Sequence, residues 1–277
     1  MRFGSNPSKA YSRINGLAVS AALLMLALYI VIYWYQPFSE LINNFLSNFF
    51  SQAASLVAAV IATMIWSYYE KTDAPRRVWG NFATGLWLWV AGEIAWGYIN
   101  MTRGDVPIGV PDFFWMISYF FFGWALLAQY KILVQPTPSV VIRQVLIGIL
   151  ALLILILLIY SFLLSTAEPM EKLDALVNAF YPAVDVLLSV IALWLARNFA
   201  GGVFARPWLG LLAFSISDLL YAWLELSGTY AWSLDQGNLL STISDVAYFG
   251  AYLILGLGVL SQWLFLKYGL RTPVERR

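Results

Sequence analysis

The sequence predicts an all-α protein, a polytopic membrane helical bundle of eight transmembrane helices. Three observations predict it. Of 277 residues, 61% are hydrophobic and only 11% charged, where soluble domains carry about 25% charged residues. Eight apolar runs each reach the roughly 20 residues needed to cross a bilayer. Lys and Arg also alternate between the breaks that separate these runs.

The runs cover about 14–35, 44–69, 79–100, 112–134, 141–164, 173–197, 207–228 and 240–266, all within a single membrane domain spanning 1–277. The first follows a short basic arm, Arg2 to Arg13, and is longer than the apolar core of a signal peptide, so it reads as a retained helix. The second carries two ridges of small residues, Ser51, Ser55, Ala59, Thr63 and Ala54, Ala58, Ala62, whose four-residue spacing lets helix backbones approach closely. The third opens at Trp79 and contains Glu93; the fourth opens at Asp112. The fifth is almost wholly Leu, Ile and Ala and reads as a lipid-facing scaffold. The sixth contains Tyr181, Pro182 and Asp185, the seventh Asp218 and Glu225, and the eighth Asp245. Breaks between the runs carry turn chemistry, as at Gln36-Pro37, Asp73-Ala74-Pro75, Pro136-Thr137-Pro138 and Gln236-Gly237-Asn238.

Fourteen of the sixteen Lys and Arg fall at the N-terminus, the 2–3, 4–5 and 6–7 connections and the C-terminus; Arg103 and Lys172 fall on the opposite side. This asymmetry predicts a cell (plasma or inner) membrane protein with both termini cytoplasmic. No Lys lies mid-span, which excludes a retinal Schiff base. The chain has no His and no Cys, which removes the usual ligands for haem and zinc, disulfides and thiol chemistry. The scattered cations make no basic stripe for nucleic acid. No nucleophile motif is present, so no catalytic residue, metal site or cofactor is assigned, and the chain reads as a non-enzyme.

Two stretches echo each other. Arg77-Val78-Trp79 matches Arg206-Pro207-Trp208, and Asp112 with Tyr119 and Gly123 matches Asp245 with Tyr252 and Gly256. Segments 14–134 and 141–266 are then candidate repeats of four helices each. Four is even, so the repeats run parallel, related about an axis along the membrane normal.

An ionisable residue inside a span is costly and faces a bundle interior more often than lipid. With the predicted topology, Glu93, Asp112, Asp185, Asp218 and Asp245 all lie between the midplane and the outer surface. Helical spacing sets aromatic partners beside them: Trp96 beside Glu93, Tyr119 below Asp112, Tyr181 beside Asp185, Tyr221 beside Asp218, and Tyr248 beside Asp245. If these faces converge, they line an acidic and aromatic cavity that holds a ligand, a cation or a network of shared protons. Asp112 and Asp245 open their helices, where capping explains a carboxylate as well as a ligand role does. Glu225 reads as an interfacial residue.

Read in order, Trp79, Val110-Pro111-Asp112 with Tyr119, Tyr181-Pro182-Ala183-Val184-Asp185, Asp218-Leu219-Leu220-Tyr221 and Ser241-Thr242-Ile243-Ser244-Asp245 with Tyr248 form a pattern. It resembles the eight-helix membrane sensor module fused to bacterial and archaeal histidine kinases and diguanylate cyclases. The resemblance covers runs 3, 4, 6, 7 and 8. It implies a sensory role, exercised here without an output domain and therefore through a separate signalling partner.

The leading expectation is thus a membrane-integral sensory or ligand-binding module. A small proton- or cation-coupled transporter is the second, since parallel repeats with buried carboxylates suit one. An accessory subunit of a larger membrane complex is the third.

Overall fold

Within lipid, a helix satisfies the backbone hydrogen bonds of a single segment. The computed structural model describes residues 7–103, 108–133, 169–200, 202–230 and 239–269, and these form seven α-helices and one short 3₁₀ turn, Val203–Ala205. The helices are α1 (Pro7–Tyr35), α2 (Glu40–Tyr68), α3 (Ala74–Arg103), α4 (Val110–Leu133), α5 (Pro169–Asn198), α6 (Arg206–Leu226) and α7 (Leu239–Tyr268). The run predicted at 141–164 lies outside the described residues.

Each helix begins before its apolar run, because the backbone is already helical in the interface before the lipid-facing side chains start. At α3 the start is fixed chemically. The Asp73 carboxylate accepts from the Glu70 N–H at 2.9 Å, and Pro75 stands in the first turn, where its missing N–H costs nothing.

Six helices, all but α3, contain a stretch long and apolar enough to cross a membrane. The span predicted at 79–100 therefore has the length of a crossing helix but not the apolarity. Asn81, Glu93, Asn100 and the glycines 80, 85, 92 and 97 dilute it. Packing explains how the bundle accommodates them: α3 lies between α2 and α4 and also touches α6 and α7, so much of its surface faces protein rather than lipid.

Neighbours in sequence pack antiparallel, with α3 against α4 and α6 against α7 the most extensive pairs. The small residues of α2 do what their spacing predicts. Ala54, Ser55, Ala58, Ala59 and Ala62 are buried where α2 meets α3 and α7. At the α6–α7 crossing a Cβ on Gly210 would come within 2.5 Å of the Leu255 Cα, so only glycine permits that approach. Between the helices runs an aromatic core. Trp89 meets Phe214 edge-on at 4.7 Å, and Phe82 bridges Phe122 and Trp208, each at 5.6 Å. Without a hydrophobic difference between lipid and side chain, such dispersion contacts hold a membrane bundle together.

The ends of the bundle are chemically unlike. The start of α1 meets the end of α7 through Tyr11 and Ser261 at 3.3 Å, and Arg206 at the start of α6 donates to Ser261 at 2.8 Å. Tyr68 at the end of α2 donates to the Leu266 carbonyl at 3.2 Å. Lys9, Arg13, Lys71, Arg76, Arg77, Lys131, Arg197, Arg206 and Lys267 all belong to helix ends or turns on this side, hereafter the basic end.

Unlike sequence neighbours elsewhere, α4 and α5 run parallel. Asp112 meets Tyr181, Tyr119 meets Asp185, and the Tyr130 and Trp194 rings lie 4.8 Å apart. The chain between Leu133 and Pro169 therefore joins opposite ends of the bundle.

Candidate functional site

The acids gather into three interhelical junctions, and in every one a tyrosine hydroxyl answers a carboxylate. The first joins α4, α5 and α6. Tyr119 Oη lies 2.8 Å from Asp218 Oδ2 and 3.0 and 3.1 Å from the two oxygens of Asp185. Asp185 is fully buried, and Asp218 and Tyr119 nearly so. The two carboxyl groups thus meet at one phenol oxygen. One turn before Asp218, the buried Ser215 hydroxyl makes no hydrogen bond among the described residues.

A phenol carries one hydrogen. Tyr119 can give a full hydrogen bond to one carboxylate or a weaker, shared one to both, so two full-strength contacts need a proton on one carboxyl that donates back to Oη. The geometry thus fits three oxygens sharing two protons. With a single proton, two like charges face each other across α5 and α6 in a medium of low dielectric, where repulsion is strong.

One helical turn or more away, Tyr181 of α5 donates to Asp112 Oδ1 at 2.8 Å, while Asp112 Oδ2 accepts from the Gly109 N–H at 2.8 Å. Asp112 therefore caps α4 and ties it to α5 at the same time. The Tyr119 and Tyr181 rings lie 5.9 Å apart, which links this contact to the first junction.

The second junction joins α3 and α7. Tyr252 donates to Glu93 Oε1 at 2.8 Å and accepts from Trp89 Nε1 at 2.5 Å. Gln52 of α2 donates to the Glu93 backbone carbonyl at 3.1 Å. The third joins α1 to α7 through Asp245, which accepts from Tyr33 and, at 3.1 Å to each oxygen, from Tyr230.

The remaining predicted site residues sit at the margins. Tyr221 donates to Glu225 at 3.1 Å along the exposed side of α6 and packs on Tyr230 at 4.9 Å. Tyr248 contributes its ring to the wall formed with Phe214 and Tyr252, at 5.4 and 5.3 Å. Trp96 lies against Trp115 at 6.2 Å.

Sequence reasoning did not single out Gln52, Asn48 or Asn44. Asn48 donates to the Asn44 side chain at 2.8 Å and approaches Asn100 of α3 at 3.5 Å. With Gln52 these carboxamides form a polar ladder along α2 that ends at Glu93. The signal was available: three carboxamides spaced by four in an apolar run share one helical face. Tyr33 and Tyr230 carried no such signal, since nothing local pairs them with Asp245.

Two cavities among the described residues lie toward the bundle ends, the smaller touching the third junction through Tyr33. One of about 20 Å³, at the α1–α2 turn, is lined by Tyr33, Glu40, Asn43, Asn44 and Ser47 among others. The other, about 530 Å³, lies at the basic end beside Trp66 and Arg76. Comparison with protein-family models, curated proteins and solved structures gives no match.

Proposed function

We propose that the chain is a membrane-integral sensory module in which proton or cation occupancy of the Tyr119–Asp185–Asp218 junction sets the packing of α5 against α4 and α6. The single observation that carries this reading is the two carboxyls that meet one phenol. Pure interhelical glue needs one donor per acceptor, as at Glu93 and Asp112, and an Asn at position 185 or 218 would supply it without a proton. Here closure of the junction depends on a second proton, or on a cation that Ser215 Oγ could help hold. Occupancy therefore controls whether three helices stay tied. The change passes to a signalling output, as the resemblance to kinase- and cyclase-linked sensors implies.

The concentration of cations at one end supports an orientation with that end cytoplasmic, which puts α1 and α7 termini inside. The end of α4 and the start of α5 lie at opposite ends of the bundle, which supports a count of eight crossings. Two parallel repeats are supported by a correspondence of parts. Tyr119 and Tyr252, 133 apart in sequence, donate to Asp218 and Glu93; Asp185 and Gln52, also 133 apart, stand beside them.

The test is infrared spectroscopy on the protein in lipid discs, titrated across the neutral range. A carboxylic-acid carbonyl band that vanishes in both Asp185→Asn and Asp218→Asn, with cross-linking between cysteines placed on the α5 and α6 ends changing over the same pH interval, is expected. A helix arrangement indifferent to pH while the band titrates would overturn the sensory reading.

The ladder along α2 favours a second reading, a small proton- or cation-coupled transporter with Glu93 as its carrier group. Flux into proteoliposomes decides between the two.

A further inference from the structure

The basic end holds a cavity that the acidic junctions do not use. It measures about 530 Å³ and is lined by Trp66 of α2, by Lys71 and Arg76, and by Arg77, Gly80 and Asn81 of α3. Its walls are preset. The Arg76 guanidinium lies 4.6 Å over the Trp66 ring and donates to the Tyr69 carbonyl. Gly80 lets the indole lie close to α3, since a Cβ there would approach Trp66 Cδ1 and Nε1 to 3.1 Å. Lys71, Arg77 and Asn81 make no hydrogen bond or ion pair among the described residues. Glu70 and Asp73 are the acids of this turn, and Asp73 is engaged in it through the Glu70 N–H.

We propose that this cavity binds the headgroup of an anionic glycerophospholipid. Three cations and a carboxamide supply the chemistry for a phosphate that carries no compensating ammonium. The surface next to the cavity supplies the rest. Toward the middle of the bundle, Val60 and Met64 of α2 and Trp87 of α3 are exposed, and Trp87 is held in place by its indole N–H donating to Thr63 at 2.9 Å. Acyl chains can lie along this apolar α2–α3 face while the phosphate occupies the cavity. A free anion would use the cavity and leave that face idle.

The full chain in neutral detergent is offered phosphatidylglycerol, phosphatidylcholine of the same chains, or inorganic phosphate, and is read by native mass spectrometry and thermal melting. Phosphatidylglycerol should be retained and should raise the melting temperature. Phosphatidylcholine should be retained at least tenfold less, and phosphate should shift melting little. Lys71→Gln with Arg77→Gln, both exposed and free of structural bonds, should cut phosphatidylglycerol retention about tenfold. The matched pair Lys9→Gln with Arg13→Gln, at the same end of the bundle, should leave it unchanged. Equal loss in both pairs would mean diffuse charge attraction and overturn the site. Equal retention of the two lipids would overturn the anionic preference, and full stabilisation by phosphate alone would replace the lipid by a free anion.

Discussion

Tyr252 Oη lies 2.8 Å from Glu93 Oε1 and 2.5 Å from Trp89 Nε1, so one hydroxyl is at once donor and acceptor between two helices. Glu93, Tyr252 and Trp89 are all buried, and the chain between the first two is 159 residues long. Removing the hydroxyl leaves both an acceptor and a donor unanswered. Tyr252→Phe should destabilise the bundle by about 1–2 kcal/mol, measured by unfolding in mixed micelles. Glu93→Gln keeps an acceptor at the same place and should cost less. A double-mutant cycle should return a positive coupling between the two positions; additive losses would mean that the contact contributes nothing of its own.

Gly210 and Gly123 make an internal comparison. A Cβ on Gly210 would meet the Leu255 backbone, whereas a Cβ on Gly123 would meet nothing within 4 Å. Alanine gains about 1 kcal/mol over glycine in a helix interior. At Gly123 that gain stands alone, and Gly123→Ala should raise stability. At Gly210 it is opposed by overpacking of about 1–3 kcal/mol against backbone that cannot rotate aside, so Gly210→Ala should lower it. Melting of both variants in one detergent checks the opposite signs.

Much of this architecture is legible in the sequence because lipid imposes period and length. The runs that become α1, α2 and α4 to α7, the small ridge of α2 and the burial of Glu93, Asp185 and Asp218 all follow from apolarity and helical spacing. What spacing cannot supply is the partner across a helix boundary. Local reasoning set Tyr221 beside Asp218 and Tyr248 beside Asp245, each three residues away. The structure gives Asp218 to Tyr119 and Asp245 to Tyr33 and Tyr230. Spacing along one helix shows which side chains share a face with the acid; only packing shows which facing helix brings a further tyrosine to it. The reduced apolarity of α3 has the same origin, since surrounding protein and not lipid is its solvent.

Tyr230 lies in the connection between α6 and α7, and burial, followed by the Asp245 charge, pushes its phenol above the ordinary tyrosine value. The folded protein then keeps a proton that the unfolded chain releases above about pH 10. Stability is fully present below that pH and falls as pH rises beyond it, because the native state binds more protons. Tyr230→Phe should lose a hydrogen bond near neutrality and should also show a shallower alkaline decline. Chemical denaturation at a series of alkaline pH values checks both; an unchanged slope would show that Tyr230 ionises as freely folded as unfolded.

The polar ladder on α2 predicts a route to Glu93 from one end of the bundle only. At its mouth, the cavity of about 20 Å³ beside Asn43, Asn44 and Ser47 is large enough for about one water. From there Asn44, Asn48 and Gln52 lead to Glu93. Toward the basic end, Leu86, Phe82 and Trp79 of α3 are buried in the aromatic core, and no carboxamide continues the ladder. Carboxamides do not relay protons themselves; they stabilise water that does. Asn48→Leu and Gln52→Leu should therefore slow hydrogen–deuterium exchange at the Glu93 carboxyl by tenfold or more while leaving the Asp185–Asp218 band unaffected. Infrared difference spectra, with Glu93→Gln to assign the band, read this directly. In vesicles of one orientation, exchange should respond to a pH change on the side of the ladder and not to one at the basic end. Equal response from both sides would remove the one-sided route.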